Sequence, residues 1–306
     1  LASIPHSLIS GFRTILASHL VSYSSFLTLP HLSNRYKENF SQQTFSILYY
    51  VFLAFFSQLC YFSAKGDKGE NRMGFNWHAA CETHWNKMSA HWQANSEEMW
   101  ETGSRKTILP VLTRYIQPDK GRVLDAGCGD GYGSAKLAEL GFQVTGLDIS
   151  EEMIKKAETR IKPGLALSFV KADLRKLPFP EHSFQAIMAI NVLEWTDDPR
   201  EMLTELKRYL QPGGLLALGI LGPTAAPREH GYRRLYGEDV VINTMMPWEC
   251  GRLLTENGYE IVHQEGVYKR GVTLEMTEAL SLELCQALSF LWMFYARPVN
   301  ARQTTK

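Results

Sequence analysis

Three glycines and three carboxylates carry the first readable chemistry. Gly127, Gly129 and Gly131 alternate within Val123-Leu-Asp-Ala-Gly-Cys-Gly-Asp-Gly-Tyr-Gly133, an apolar run that ends in Asp125 and breaks into glycine. Such a run predicts a buried strand turning sharply into a helix. Its backbone admits a ligand closely, and the helix start offers free N–H groups. Asp148 and Asp173 also follow apolar runs, so three acids close three successive predicted strands. A carboxylate can accept hydrogen bonds from two vicinal hydroxyls, and Asp148, 21 residues after Gly127, has the spacing of a ribose acceptor. Asp173 with Leu174 suits the edge and face of an adenine. The ligand implied is an adenosine derivative.

Charge separates the candidates. A dinucleotide turn, GxGxxG, places its third glycine where this chain has Tyr132. Asp125 beside the turn is ill suited to a pyrophosphate and well suited to an ammonium group. S-adenosylmethionine carries an ammonium, a ribose and an adenine, and no phosphate.

At these positions the chain resembles the class I S-adenosylmethionine-dependent methyltransferases, in particular the small-molecule branch that includes ubiquinone and menaquinone biosynthesis enzymes. The resemblance rests on the glycine turn, Val144-Thr-Gly-Leu-Asp-Ile-Ser150, Lys171-Ala-Asp-Leu174, Leu177-Pro-Phe179, Asn191-Val-Leu-Glu194 and Leu210-Gln-Pro-Gly-Gly214. It covers 117–222 closely and the tail after 246 more loosely. It implies that Gly127, Gly129 and Gly131 line the methionine moiety, with Asp125 organising that end. Asp148 would bind the ribose, Ile149 and Leu174 would sandwich the adenine, Asp173 would bind its amine, and Asn191 would lie near the sulfonium. Trp195 departs from the many relatives with histidine after the glutamate, which suggests an aromatic wall in place of a base.

The chemistry implied is an in-line displacement on the sulfonium methyl by a substrate nucleophile. Alignment supplies much of such a rate, up to about 7–11 kcal/mol. A base is needed only if the nucleophile must lose a proton. His78, His84, His91, His230 and Tyr232 are candidates for that role, and no catalytic residue is assigned among them.

The surrounding sequence must position these groups. Strands are predicted over 142–148, 165–170, 183–190, 215–221, 259–264 and 289–297, besides the one that enters the glycine turn. Helices are predicted over 108–116, 134–140, 151–161, 199–210 and 247–257, with Gln211-Pro-Gly-Gly214 a helix stop. This alternation predicts an α/β fold: a Rossmann-like, doubly wound, mostly parallel seven-stranded sheet with helices on both faces. Ligands in such sheets bind outside the carboxyl ends of the strands. Residues 73–105 read as an N-terminal helical lid, in which His84 and His91, and Trp85 and Trp92, are each seven apart and share a helical face. Residues 222–246 break the alternation and read as a substrate-side insertion or a solvated loop.

Residues 1–72 differ in kind, being hydrophobic and free of charge over 44–64, including Ile47-Leu-Tyr-Tyr-Val-Phe-Leu-Ala-Phe-Phe56. No methionine precedes Met73, and the Lys-Gly-Asp and Lys-Gly-Glu of 65–70 are encodable by a purine-rich, ribosome-binding-type sequence. The expectation is that Met73 is the natural start and 73–306 the methyltransferase domain. If residues 1–72 are native, they are expected to associate with a membrane.

Among 306 residues, 45% are hydrophobic, enough for a full core, and 32 basic residues balance 32 acidic ones. No nucleic-acid partner is expected of a neutral chain without a binding module. Five widely spaced cysteines with no CxxC pair argue against a disulfide scaffold or a zinc site and for a reducing, cytoplasmic setting, and no metal is expected. The leading reading is methyl transfer to a small-molecule acceptor. A protein or RNA methyltransferase, an NAD-dependent oxidoreductase and a non-catalytic cofactor-binding module are the alternatives; the oligomeric state is open.

Overall fold

In the computed structural model, residues 75–299 are described; both expectations for residues 1–72 lie outside them. The predicted alternation gives β1 (Arg122–Ala126), β2 (Gln143–Asp148), β3 (Leu167–Lys171), β4 (Phe184–Ile190), β5 (Leu210–Leu221), β6 (Tyr259–Tyr268) and β7 (Ser289–Pro298). They form one sheet of order β3-β2-β1-β4-β5-β7-β6, with β7 antiparallel to both neighbours and the other pairs parallel. Chain order reverses between β1 and β4, so a crevice opens above their carboxyl ends.

Alternate residues of each central strand enter opposite faces. Leu124, Phe184 and Ile187 pack with Leu203 and Leu206 of α5 (Pro199–Tyr209) and Leu254 of α6 (Pro247–Glu256). Val123, Ala186 and Met188 pack with Leu112 of α2 (Ile108–Leu112) and Leu137 of α3 (Tyr132–Glu139). The crossover after β2 is α4 (Glu151–Glu158), capped by Ser150, whose hydroxyl accepts from Met153 N at 3.1 Å. The β6–β7 connection carries two short helices absent from the sequence reading, α7 (Leu274–Thr277) and α8 (Leu282–Ala287).

Two local differences have physical causes. The helix before Gln211-Pro-Gly-Gly214 ends at Tyr209, as expected, but the motif itself lies inside β5, and the β4 register jumps from Leu210 to Leu215 around it. Gly213, at φ +74°, lets the strand bulge there. The helix expected over 108–116 is only the single turn α2, whose Pro110 lies near its start.

The 25-residue helix α1 (Trp77–Glu101) precedes the sheet. Cys81, Trp85, Ser89, Trp92, Ser96 and Trp100, all buried or half-buried, recur every three or four residues and form an inward stripe. Polar contacts hold it along its length. Asn86 Oδ1 accepts from Ser150 Oγ at 2.7 Å, Ser96 Oγ donates to Asp130 Oδ2 at 2.7 Å, and Glu82 pairs with Lys171 at 2.8 Å. Among the described residues, no helix is long and apolar enough to cross a membrane.

Candidate functional site

Beyond β1, the backbone is stitched to β2: the N–H groups of Gly127 and Cys128 both donate to Leu147 O, at 2.7 and 2.9 Å. The Asp148 carboxylate continues the stitch, accepting from Gly129 N and Ser150 N at 2.9 Å each. Gly129 has φ +56° and Gly131 φ +74°, conformations that disfavour any side chain. Their surroundings differ: a Cβ on Gly129 would meet the Trp92 indole, and one on Gly131 would meet Phe169 and Ala157. Gly129 therefore faces the cavity, while Gly131 allows close packing behind it.

Seven of the nine predicted site residues line one cavity: Gly127, Gly129, Asp148, Ile149, Asp173, Leu174 and Asn191. The other two lie behind its wall. Asp125 is buried and accepts from Ser134 Oγ at 2.5 Å, and Gly131 begins α3. Among the described residues, no lysine or arginine lines the cavity. Its remaining wall comes from α1, through His78, Cys81, Trp85 and Trp92, and from the loop after β4, through Val192, Trp195 and Thr196.

Burial dominates the electrostatics. It pushes the Asp125 carboxyl up to about 6, against the Ser134 hydrogen bond and Arg105. It pushes Asp148 to about 6 as well, against the N–H groups of Ser150, Gly129 and Ile149. For Asp173, burial is outweighed by the Arg175 guanidinium and N–H and by His78, which hold it below the ordinary carboxylate range. Arg175 Nη2 donates to Asp173 Oδ2 at 2.6 Å. Burial and then the carboxylates of Asp148 and Asp173 push the Cys81 thiol up to about 12, so it stays protonated.

Arg105, which follows α1, was not singled out in the sequence. It is buried, its guanidinium 4.7 Å from the Trp92 ring centre, and its Nη2 donates to Asn191 Oδ1 at 3.4 Å. Burial lowers it to about 10 against the pull of Asp125, Asp130 and Glu194, leaving it charged at neutral pH. A lone arginine after a helix stop has no local signature, because only the packing of α1 and β4 buries it.

The proposed proton acceptors separate. His78 bridges Asp173 and Asp197, at 3.5 and 3.2 Å. His84 stacks on Trp195 with centroids 5.2 Å apart and meets His230 of the insertion at 5.3 Å. Burial, His230 and Lys87 lower His84 below the ordinary imidazole range. His91 is exposed, and Tyr232 is exposed beside Tyr236. Trp85 and Trp92 do share a face, their rings 5.6 Å apart. Trp77 Nε1 donates to Trp195 O at 2.8 Å, tying the start of α1 to the loop after β4.

Comparison with known proteins agrees with this geometry. Residues 124–218 match a family described as a methyltransferase domain. Ubiquinone biosynthesis O-methyltransferase of Xanthomonas axonopodis pv. citri is 30% identical over 164 residues, which are 50% of this chain and 69% of that protein. Demethylmenaquinone methyltransferase of Clavibacter sepedonicus is 32% identical over 123 residues, covering 40% of this chain and 47% of that one. The chain spans about half the length of several such curated relatives. In fold, it is similar to magnesium protoporphyrin IX methyltransferase from Synechocystis PCC 6803, with TM-score 0.55 and 17% identity over 73% of this chain and 100% of that one. Its domain match, its curated relatives and its sheet order place it in one family: the chain belongs to the class I S-adenosylmethionine-dependent methyltransferases.

Proposed function

We propose that this chain transfers the methyl group of S-adenosylmethionine to a small-molecule acceptor in the cavity above β1, β2 and β4. The observation that carries the reading is the wall composition. Asp148 and Asp173 share one cavity with the glycine turn, and no lysine or arginine among the described residues lines it. That wall favours a phosphate-free, cationic adenosyl ligand and disfavours a dinucleotide, whose pyrophosphate would meet no cationic side chain there.

Each residue then has a part. Asp148 holds the ribose hydroxyls, Ile149 and Leu174 hold the adenine faces, and Asp173 accepts from the adenine amine. Gly127 and Gly129 give the methionine moiety close backbone approach, and Gly131 shapes the turn. Asp125 and Arg105 organise its charged end from behind the wall, Arg105 against Trp92 and Asn191. Asn191 stands beside the sulfonium. When bound, the cofactor supplies a methyl already activated by a positive sulfur. Trp85, Trp92 and Trp195 keep water out and fix the approach of the acceptor, so alignment does much of the work. Residues 73–105 act as the roof of this pocket and 222–246 as its substrate-side rim.

Calorimetry tests the cofactor: S-adenosylmethionine and S-adenosylhomocysteine should bind, and NAD should not. Binding of NAD alone overturns the reading. Labelled-methyl transfer to a cell extract then tests activity and reports the acceptor; tight binding without transfer would favour a sensing module.

A further inference from the structure

Behind Asn191 lies a carboxyl group that the reading above leaves unused. Glu194 is 1% exposed. Its Oε1 accepts from Leu221 N at 2.5 Å and from Asn191 Nδ2 at 3.5 Å, while Oε2 has no hydrogen-bond partner among the described residues. An unmade hydrogen bond on a buried carboxyl is costly, and a glutamine would tie Leu221 without a buried charge.

The groups facing Glu194 are few. Arg228 comes from the insertion, Arg105 from the segment after α1, and Cys250 from α6. Both guanidiniums donate elsewhere: Arg228 to the carbonyls of Leu221, Gly222, Thr244 and Met245, and Arg105 to Asn191. Burial raises the Glu194 carboxyl, opposed by the Leu221 N–H, its own N–H, Asn191 and Arg228. Asn191, which lines the cavity, is thus polarised at Nδ2 by a buried acid and at Oδ1 by the Arg105 guanidinium, and it holds φ +57°, a conformation rare outside glycine.

We propose that Glu194 is the charge that makes the site prefer the sulfonium cofactor over its neutral thioether product, acting through Asn191. The inference rests on the cofactor reading above. S-adenosylmethionine and S-adenosylhomocysteine differ by one methyl and one positive charge at sulfur. A negative charge behind Asn191 stabilises the first and is indifferent to the second. Loading is thereby favoured, and the spent product is released more readily. Glu194 is a positioning residue: its charge reaches the ligand across the Asn191 amide.

The test compares wild type with Glu194→Gln, which keeps an oxygen for the Leu221 N–H. Affinities for S-adenosylmethionine and S-adenosylhomocysteine are measured by calorimetry from pH 5 to 8. Wild type should prefer the sulfonium at the upper end of this range, where a carboxyl raised by burial carries the most charge. In the variant that preference should be lower by about tenfold at pH 8, the scale of one charge at partly screened distance. Asp125 and Asp148 titrate in both proteins, so the difference between the two curves isolates Glu194. A folded variant with an unchanged preference overturns the proposal. If the variant does not fold, carbon-13 carboxyl NMR of wild type decides. The Glu194 resonance should report a lower pKa with S-adenosylmethionine bound than with S-adenosylhomocysteine, and identical titrations overturn the proposal. Failure of wild type to bind either ligand would instead sink the cofactor reading itself.

Discussion

A Cβ on Gly129 would stand 2.8 Å from the Trp92 indole nitrogen, so α1 rests directly on the glycine turn. Another neighbour of that indole is the Arg105 guanidinium, 4.7 Å from its ring centre. Helix, turn and buried cation are therefore one packed unit, and a change in any of them is felt at the glycine-turn side of the cavity.

Arg105 offers the sharpest separation of the cofactor's two ends. If its guanidinium balances the methionine carboxylate from behind the wall, Arg105→Met should weaken S-adenosylhomocysteine by about tenfold, the scale of one charge at partly screened distance. Methylthioadenosine, which lacks the amino-acid tail, should bind as before. Calorimetry with both ligands checks this, and equal losses would mean that Arg105 supports the wall rather than the tail.

Asp148→Ala should lose about 1–3 kcal/mol of cofactor affinity, the cost of an unpaired hydrogen-bonding site. Part of that loss comes from the turn, because Asp148 also accepts from Gly129 N and Ser150 N. Asp148→Asn keeps one acceptor for the backbone and should fall between wild type and alanine. Unchanged affinity in the alanine variant removes the ribose assignment.

The glycine-turn side of the cavity was legible because its signals are local. Alternating glycines at a strand end, and acids closing β2 and β3, depend on a few consecutive residues each. The inward stripe of α1 was partly visible in the seven-residue spacing of Trp85 and Trp92. Arg105 and Glu194 were not, since burial of a charge is decided by which elements pack over it. The insertion shows the same limit. Its charged aromatic run divides in space, with Arg228 turned inward onto four carbonyls while Arg233 pairs with Glu238 at the surface. Of the histidines weighed as bases, tertiary packing alone brings His84 and His230 together and leaves His91 outside.

Gly131→Ala should destabilise the fold while sparing cofactor affinity. At φ +74° the new Cβ would stand 2.6 Å from Phe169 Cζ and 2.8 Å from Ala157 Cβ. Backbone strain and overpacking each cost about 1–3 kcal/mol, which places the combined loss at roughly 2–6 kcal/mol. Because Gly131 does not line the cavity, the fraction that remains folded should bind S-adenosylhomocysteine normally. Denaturant unfolding with and without ligand measures both terms, and an unchanged midpoint would contradict the packing role.

Asp125→Asn should stabilise the ligand-free protein, with a pH dependence of definite sign. The folded carboxyl is raised from 3.8 to about 6 by burial, so the folded state binds its proton more tightly than the unfolded chain. Below about pH 4 both states are protonated and the group costs nothing. Between 4 and 6 wild-type stability falls as pH rises, and above 6 the full penalty applies, of order 2–3 kcal/mol. Asparagine keeps an oxygen for Ser134 Oγ and carries no charge to bury. The variant's gain in Tm should therefore be absent near pH 4, grow through pH 5 and level off above pH 6. Cofactor affinity should move the other way, because the same buried negative charge attracts the ammonium group. Thermal unfolding across pH, paired with calorimetry at pH 7.5, reads both; a gain independent of pH would show that packing rather than charge sets the cost of Asp125.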